Sequence, residues 1–233
     1  MKDTEVRNMF ETIAGTYDLQ NSVLSLRRDI YWRKALARAI PVREHGLVLD
    51  VAIGTAEVAL EICRQHSAAK VIGLDFSPAM LKVGQQKIGT RQLADRIMVM
   101  AGDGRSLPVR SASVDAVTIA FGIRNIQERS QVLQEFYRVL KPGGNLFIME
   151  FSYPDGPLLG TLYRFYFDHI LPPFGNWLSR TDYAYSYLAA SVDEFPADPL
   201  FLQEIRDTGF TKLAVKKLTF GIAKIFHGVK TEQ

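Results

Sequence analysis

VLDVAIGTAEVA, residues Val48 to Ala59, is the stretch on which the fold turns. An apolar strand that breaks at Gly54 and restarts as a helix leaves backbone N–H groups open at the helix N-terminus, where a nucleoside-bearing ligand can sit. About twenty residues on, VIGLDFS ends a second strand at Asp75, where a carboxylate can accept hydrogen bonds from both hydroxyls of a ribose. VMAGDGRSLP then carries Asp103, followed by Gly104, an acceptor suited to the exocyclic amine of adenine. A dinucleotide fold uses the first acid too, but its G-x-G-x-x-G needs glycine where Ala52 and Glu57 stand, which argues against NAD. On consecutive strand–helix units, Asp50, Gly54, Asp75 and Asp103 reach the carboxyl edge of one parallel sheet, where such sheets bind ligands. Together they read as a site for S-adenosylmethionine. A plainer reading stands beside it, since a Gly-Thr pair is common punctuation and acids at strand ends often only cap the next helix; the order of the three signals favours the cofactor.

The 233 residues suit one domain with a substantial core. Hydrophobic residues at 47% and charged residues at 23% exclude a disordered or fibrous chain. A net charge of +3, with no run of Lys and Arg, argues against nucleic acid as a partner. Cys63 is the single cysteine, so an internal disulfide is excluded; a reducing cytoplasm fits, and a helix core face is its expected place. MKDTEVRNMFETIAGTYD is too polar for a signal peptide, and the histidines at 45, 66, 169 and 227 lack ligand spacing, so no metal is expected.

Along the chain, Val6, Met9, Phe10 and Ile13 share one helical face, and a second amphipathic run extends from about Leu24 through Trp32 to Ala39. Residues 1–43 thus form a helical cap. Apolar runs at Leu47 to Val51, Lys70 to Leu74, Ile97 to Met100, Val114 to Ala120 and Asn145 to Phe151 alternate with helical stretches, the pattern of a parallel α/β sheet over 44–151. The helix from about Gln127 to Leu140 is expected to stop at KPGG, with Gly143 and Gly144 at positive φ. Residues 152–195 are rich in aromatics. Their apolar stretch from Pro157 to Leu178 is interrupted by Arg164, Asp168, His169, Pro172 and Pro173 and cannot span a bilayer. A substrate lid and a helical insertion packing on the core or on a second subunit are both open. Residues 196–233 read as a helix and a final hairpin. The fold class is α/β: a Rossmann-like, mostly parallel sheet with an antiparallel C-terminal hairpin and an N-terminal helical cap, in a single domain.

RVLKPGGNLFIMEFS (Arg138 to Ser152), FGIRN (Phe121 to Asn125), YLAASVDEFP (Tyr187 to Pro196) and HGVK (His227 to Lys230) resemble the signatures of the ubiquinone/menaquinone biosynthesis C-methyltransferases, the UbiE/MenG type. The resemblance runs from about Val6 to Lys230; LKPGG is generic to many methyltransferases, and the combination is specific. YDLQNSVLSLRRDIYW (Tyr17 to Trp32) keeps Tyr17, Asp18, Asn21, Leu24, Ser25 and Trp32 of the N-terminal signature but has Gln20 and Asp29 where the family usually has Met and His. Ile53 and Ala56 stand where glycine is common, and are expected to crowd the backbone near the methionine portion of the cofactor. Ala120 stands where many members carry Ser.

The resemblance implies methyl transfer from S-adenosylmethionine to a ring carbon of a reduced polyprenyl quinone precursor, demethylmenaquinol to menaquinol. A ubiquinone-type benzoquinol and a non-catalytic S-adenosylmethionine-binding protein are the rival readings. Thr55, Asp75, Asp103 and Gly104 inherit cofactor contacts, with Asp50, Gly54 and Ala120 at the same edge. A phenol with a pKa near ~10 needs a cation or base to ionise at neutral pH. Arg124, just after the fourth strand, is the candidate donor to the oxyanion, against a loop-holding salt bridge; Tyr153, after the fifth, is a candidate acceptor contact or proton relay, against wall packing. A peripheral, transient contact with the membrane surface through the aromatic cover Tyr153 to Trp177 is expected, in a cytoplasmic protein; a homodimer stays open.

Overall fold

The structure, a computed structural model, describes residues 3–41, 45–154, 156–170 and 184–232. Three helices come first: α1 (Asp3–Ile13), α2 (Tyr17–Leu24) and α3 (Arg28–Ala39). The spacing of Val6, Met9 and Ile13 buries one face of α1. The single amphipathic run expected from Leu24 to Ala39 is instead two helices. Leu26 and Arg27 take φ of 50° and 62° there, a left-handed break that no helix can carry through.

The sheet follows: β1 (Leu47–Val51), β2 (Lys70–Asp75), β3 (Ile97–Ala101), β4 (Val114–Ala120) and β5 (Leu140–Phe151), with α4 (Glu57–Gln65), α5 (Pro78–Thr90) and α6 (Arg129–Val139) between them. Then come α7 (Pro157–Phe165), α8 (Ala184–Asp193), α9 (Asp198–Asp207), β6 (Phe210–Leu218) and β7 (Ala223–Lys230). Strand order is β3-β2-β1-β4-β5-β7-β6. Pairs among the first five strands are parallel, and β7 runs antiparallel to both β5 and β6. The order reverses between β1 and β4, so a crevice opens at their carboxyl ends, beside Asp50, Asp75 and Ala120.

Both sheet faces are covered, which is why β1 and β4 read as nearly continuous apolar runs. Trp32, Leu36, Leu60 and Ile62 fill one side; Leu133, Phe136, Phe201 and Ile205 fill the other. Cys63 lies on the buried face of α4, as expected. A third cluster joins Met9 and Ile13 of the cap to Met80, Phe167, Ala189 and Val192, so cap and aromatic insertion share a core. Each large apolar side chain buried there stabilises by roughly 1.5–3 kcal/mol.

The fifth strand begins earlier than Asn145. Leu140 already pairs with Val114, and the ladder shifts register before Asn145 pairs with Ala116, so KPGG is a bulge inside β5 and not a helix cap. Gly143 has φ +72°, whereas Gly144 does not turn left-handed. It is glycine for space, since a Cβ there would stand 2.8 Å from the Lys141 carbonyl oxygen. The described insertion is helical, and residues 171–183, including Trp177, lie outside the described residues.

Candidate active site

The turn after β1 is built from left-handed backbone at Ala52, Gly54 and Ala56, with φ of 53°, 55° and 67°. Two of the three are alanines, each strained by about 1–2 kcal/mol, and such strain is concentrated where a site needs it. The Gly54 N–H donates to Asp75 Oδ2 at 2.7 Å, and the Ser77 N–H, at the N-cap of α5, donates to Oδ1 at 2.9 Å. An ionised carboxylate has about four acceptor directions, so the Gly54 and Ser77 amides, with a further contribution from the Phe76 amide, fix Asp75 and still leave acceptor capacity toward the cavity. Burial raises the Asp75 pKa against the opposing pull of these amides.

A cavity with about 840 Å³ of open space lies over this turn, lined by Gly54, Asp75, Asp103, Gly104 and Ala120 from the sheet edge and by Val6, Phe10 and Tyr17 from the cap. Asp103 sits at the rim with its carboxylate bound to the Arg105 backbone and guanidinium, at 2.9 and 2.7 Å. Those bonds lower its pKa, so it remains an anionic acceptor. Gly104 lets the chain pass close, since a Cβ would meet Val51 at 3.2 Å. The residues therefore fit S-adenosylmethionine: a fixed acid at the ribose, a rim acid at the base and an apolar floor.

Asp50 and Thr55 stand behind this surface. Asp50 is 1% exposed; its Oδ1 accepts from Thr118 Oγ1 at 2.7 Å, while Oδ2 has no hydrogen-bond partner among the described residues. Burial pushes its pKa up to about 7, and the nearby Asp75 charge adds to the rise. Thr55 Oγ1 donates to Asp18 Oδ1 of the cap at 2.6 Å. The expected crowding by Ile53 and Ala56 is corrected by their direction. Ile53 packs over Gly73 of β2, and the Ala56 methyl over Gly84 of α5, so neither lines the cavity.

A second cavity, with about 800 Å³ of open space, adjoins the first; Phe10, Tyr17 and Phe121 line both. Its walls are aromatic. Phe121 and Phe151 stack at 4.3 Å, Trp32 stands edge-on to Phe151 at 5.9 Å, and Tyr163, Phe167 and Tyr187 close the insertion side. Its polar lining is Tyr17, Asn21, Ser25, Asp29, Arg33 and Arg124. Burial raises the Tyr17 pKa more than the Asn21 hydrogen bond and the Arg124 and Arg33 charges lower it, so this hydroxyl stays neutral. Arg124 is 7% exposed and pairs through Nη1 with the fully buried Glu150 at 2.7 Å. Nη1 also reaches the Phe121 carbonyl, Nε donates to Ser191 Oγ at 3.2 Å, and the guanidinium lies over the Phe151 ring. Tyr153 lines neither cavity. Its ring meets Tyr163 and Phe167 edge-on, under the Arg164 guanidinium at 4.2 Å, and borders a separate hollow with Asp198 and Lys224.

The structure thus gathers Gly54, Asp75, Asp103, Gly104, Ala120 and, one cavity away, Arg124. Sequence reasoning missed the cap's share: Phe10 was assigned only to a packing face, and Arg33 was not singled out. The run Tyr17 to Trp32, dense in polar residues inside an amphipathic pattern, signals Asn21, Ser25 and Asp29 of this lining, whereas Phe10 and Arg33 lie outside it and carry no such signal.

A Thermotoga maritima S-adenosylmethionine-dependent methyltransferase superposes with a TM-score of 0.67 at 17% identity, over 97% of this chain and 99% of that one, which supports the fold. The ubiquinone/menaquinone biosynthesis C-methyltransferase of Geotalea daltonii is 43% identical over 230 residues, 98% of this chain and 97% of its own. The demethylmenaquinone methyltransferase of Deinococcus radiodurans is 43% identical over 229 residues, 98% and 94%. With residues 1–230 matching its family model, from the cap through the closing strand, the chain belongs to the ubiE/COQ5 methyltransferase family.

Proposed function

We propose that this protein transfers a methyl group from S-adenosylmethionine to a ring carbon of a reduced polyprenyl quinone precursor, converting a demethylmenaquinol to a menaquinol. The observation that carries it is the pair of adjoining cavities: one with a fixed acid for a ribose, the other aromatic with a guanidinium, joined at Phe10, Tyr17 and Phe121. The relatives named above carry that activity in their names. When bound, S-adenosylmethionine supplies an electrophilic methyl group.

Asp75, clamped by Gly54 and Ser77, holds the ribose hydroxyls, and Asp103 orients the base. Phe121 and Phe151, stacked on each other, form an aromatic wall against which a flat ring packs near the junction. A ring carbon is nucleophilic when its ortho oxygen carries negative charge, and Arg124 stabilises that oxyanion. Its charge is balanced by Glu150, so it acts as an oriented donor rather than a free cation. Aromatic walls keep water away, which strengthens that hydrogen bond. Tyr153 serves as wall packing for Tyr163 and Phe167.

The tail is received on the insertion side. No helix among the described residues is long and apolar enough to cross a membrane. Leu162 and Phe165 of α7, 64% and 54% exposed, are suited to a transient contact with a bilayer surface. The experiment is turnover of purified protein with isotopically labelled methyl donor and two reduced acceptors, a short-tailed demethylmenaquinol and the corresponding benzoquinol. Label in the naphthoquinol ring is expected; label in the benzoquinol alone would reassign the acceptor, and label in neither would end the proposal.

A further inference from the structure

The cap side of the acceptor cavity carries a second guanidinium, for which the reaction above has no role. Arg33 of α3 lines this cavity and is 11% exposed. Its Nη1 forms an ion pair with Asp29 Oδ2 at 2.9 Å, and its guanidinium donates no hydrogen bond to a described residue. Asp29, 3% exposed, is held from the other side by hydroxyls: Ser25 Oγ donates to Oδ1 at 2.8 Å and Ser22 Oγ to Oδ2 at 3.2 Å. A carboxylate with that many donors is held in one orientation. Arg33 is therefore held by one ion pair on the wall of the cavity it lines, and its other guanidinium nitrogens have no hydrogen-bond partner among the described residues. Guanidinium donors taken from water and left unmatched are costly, so such a fork calls for an oxygen partner.

Position narrows the choice. Arg124 enters from the sheet edge and Arg33 from the cap, with aromatic walls between them; both charges act on the hydroxyl of Tyr17, which lies at the junction with the donor cavity. Two guanidiniums, each paired with a carboxylate and both lining one aromatic cavity, suit a ring with two oxygens.

We propose that Arg33, anchored by Asp29, binds the second ring oxygen of the acceptor, para to the hydroxyl that Arg124 faces, and so selects p-hydroquinones over phenols with one oxygen. It rests on the acceptor class proposed above. Asp29, where the family usually has His, supplies this chain's anchor for that recognition.

The test compares two short-tailed acceptors, the reduced demethylmenaquinone and the matching 1-naphthol that lacks the second hydroxyl. Intrinsic reactivity differs between them but cancels when the ratio of kcat/KM values is compared between wild type and variant. Arg33→Gln is expected to lower the diol-to-naphthol ratio roughly 10- to 100-fold, mostly through KM of the diol, the size of a lost hydrogen bond to a charged group. Affinity for S-adenosylmethionine, read by calorimetry, should be unchanged. Arg33→Lys should keep part of the ratio. An equal ratio in wild type and Arg33→Gln, or an equal loss on both acceptors, overturns the assignment. If Arg33→Gln fails to bind the methyl donor and is misfolded, the ratio is read in Arg33→Lys, where no change from wild type overturns it equally. Turnover of neither acceptor by the wild-type protein would remove the acceptor class and the role of Arg33 with it.

Discussion

Arg124 and Glu150 form a buried pair, and that decides how a substitution at Arg124 is read. Arg124→Ala is expected to lower kcat by ~10²-fold with little change in cofactor affinity, the usual loss for one oxyanion donor. It also strands the Glu150 carboxylate, at about 3–5 kcal/mol of stability for a broken buried pair. The double change Arg124→Gln with Glu150→Gln should restore thermal stability without restoring kcat; recovery of both would make Arg124 a structural residue. Asp50 makes a separate prediction. Its folded pKa is raised to about 7 from an ordinary value of 3.8, so folding takes up a proton between those limits. Stability is full below the unfolded pKa, falls as pH rises toward about 7 and is level above it. Asp50→Asn removes that penalty, so its gain in Tm over wild type, measured by calorimetry without cofactor, should grow from pH 4 to 7 and then plateau. A gain independent of pH would mean that Asp50 is charged in the folded protein.

Elements pack through matched exchanges of volume. Ile53 projects from the glycine turn onto β2 where Gly73 leaves room; a Cβ at Gly73 would stand 2.0 Å from Ile53 Cδ1. The Ala56 methyl similarly lies where α5 has Gly84, with a would-be separation of 3.3 Å. The turn can therefore dispense with glycines because its neighbours have them. Gly73→Ala is expected to cost about 1–3 kcal/mol by overpacking, and Ile53→Ala in the same chain should relieve most of that. A urea-denaturation cycle measures the coupling. Additive effects would show that β2 shifts instead. Cofactor affinity should be unaffected by Ala56→Gly, since neither Ile53 nor Ala56 lines the donor cavity.

At the scale of the whole molecule, the cap is latched to the sheet edge by charge. Asp18 of α2 accepts from Thr55 at the glycine turn and from Lys87 of α5, and Lys87 also pairs with Glu57 of α4. Trp32 of α3 donates to Thr219 in the C-terminal hairpin turn at 2.8 Å, and Tyr166 of the insertion donates to the Leu24 carbonyl. Because the cap forms a wall of both cavities, loosening it opens donor and acceptor sites together. Asp18→Ala should speed amide exchange in α1 and α2 by about tenfold or more while β1 and β4 stay protected, as in a local opening. Uniform acceleration throughout would mean the latch holds the global fold.

The sheet is legible in the chain before any packing is known. Strand-length apolar runs and turn glycines are local, so β1 and β4 had their full extents in the pattern and the acids at the strand ends followed from it. The pattern also determined the order of Gly54, Asp75 and Asp103, because each sits at a fixed offset from its own strand. Which residues share a cavity depends on how the cap and the insertion pack against the sheet edge. Arg33 and Phe10 looked like members of amphipathic helices, and the packing of the cap on the sheet edge turned them into walls of a site. Tyr153 follows β5 in sequence as Arg124 follows β4, yet the aromatic insertion draws its ring away. Ile53 and Ala56 looked obstructive because a sequence names a side chain without its direction. Direction is set by backbone dihedrals and by vacancies on neighbouring elements, here Gly73 and Gly84, which lie far along the chain and adjacent only in three dimensions.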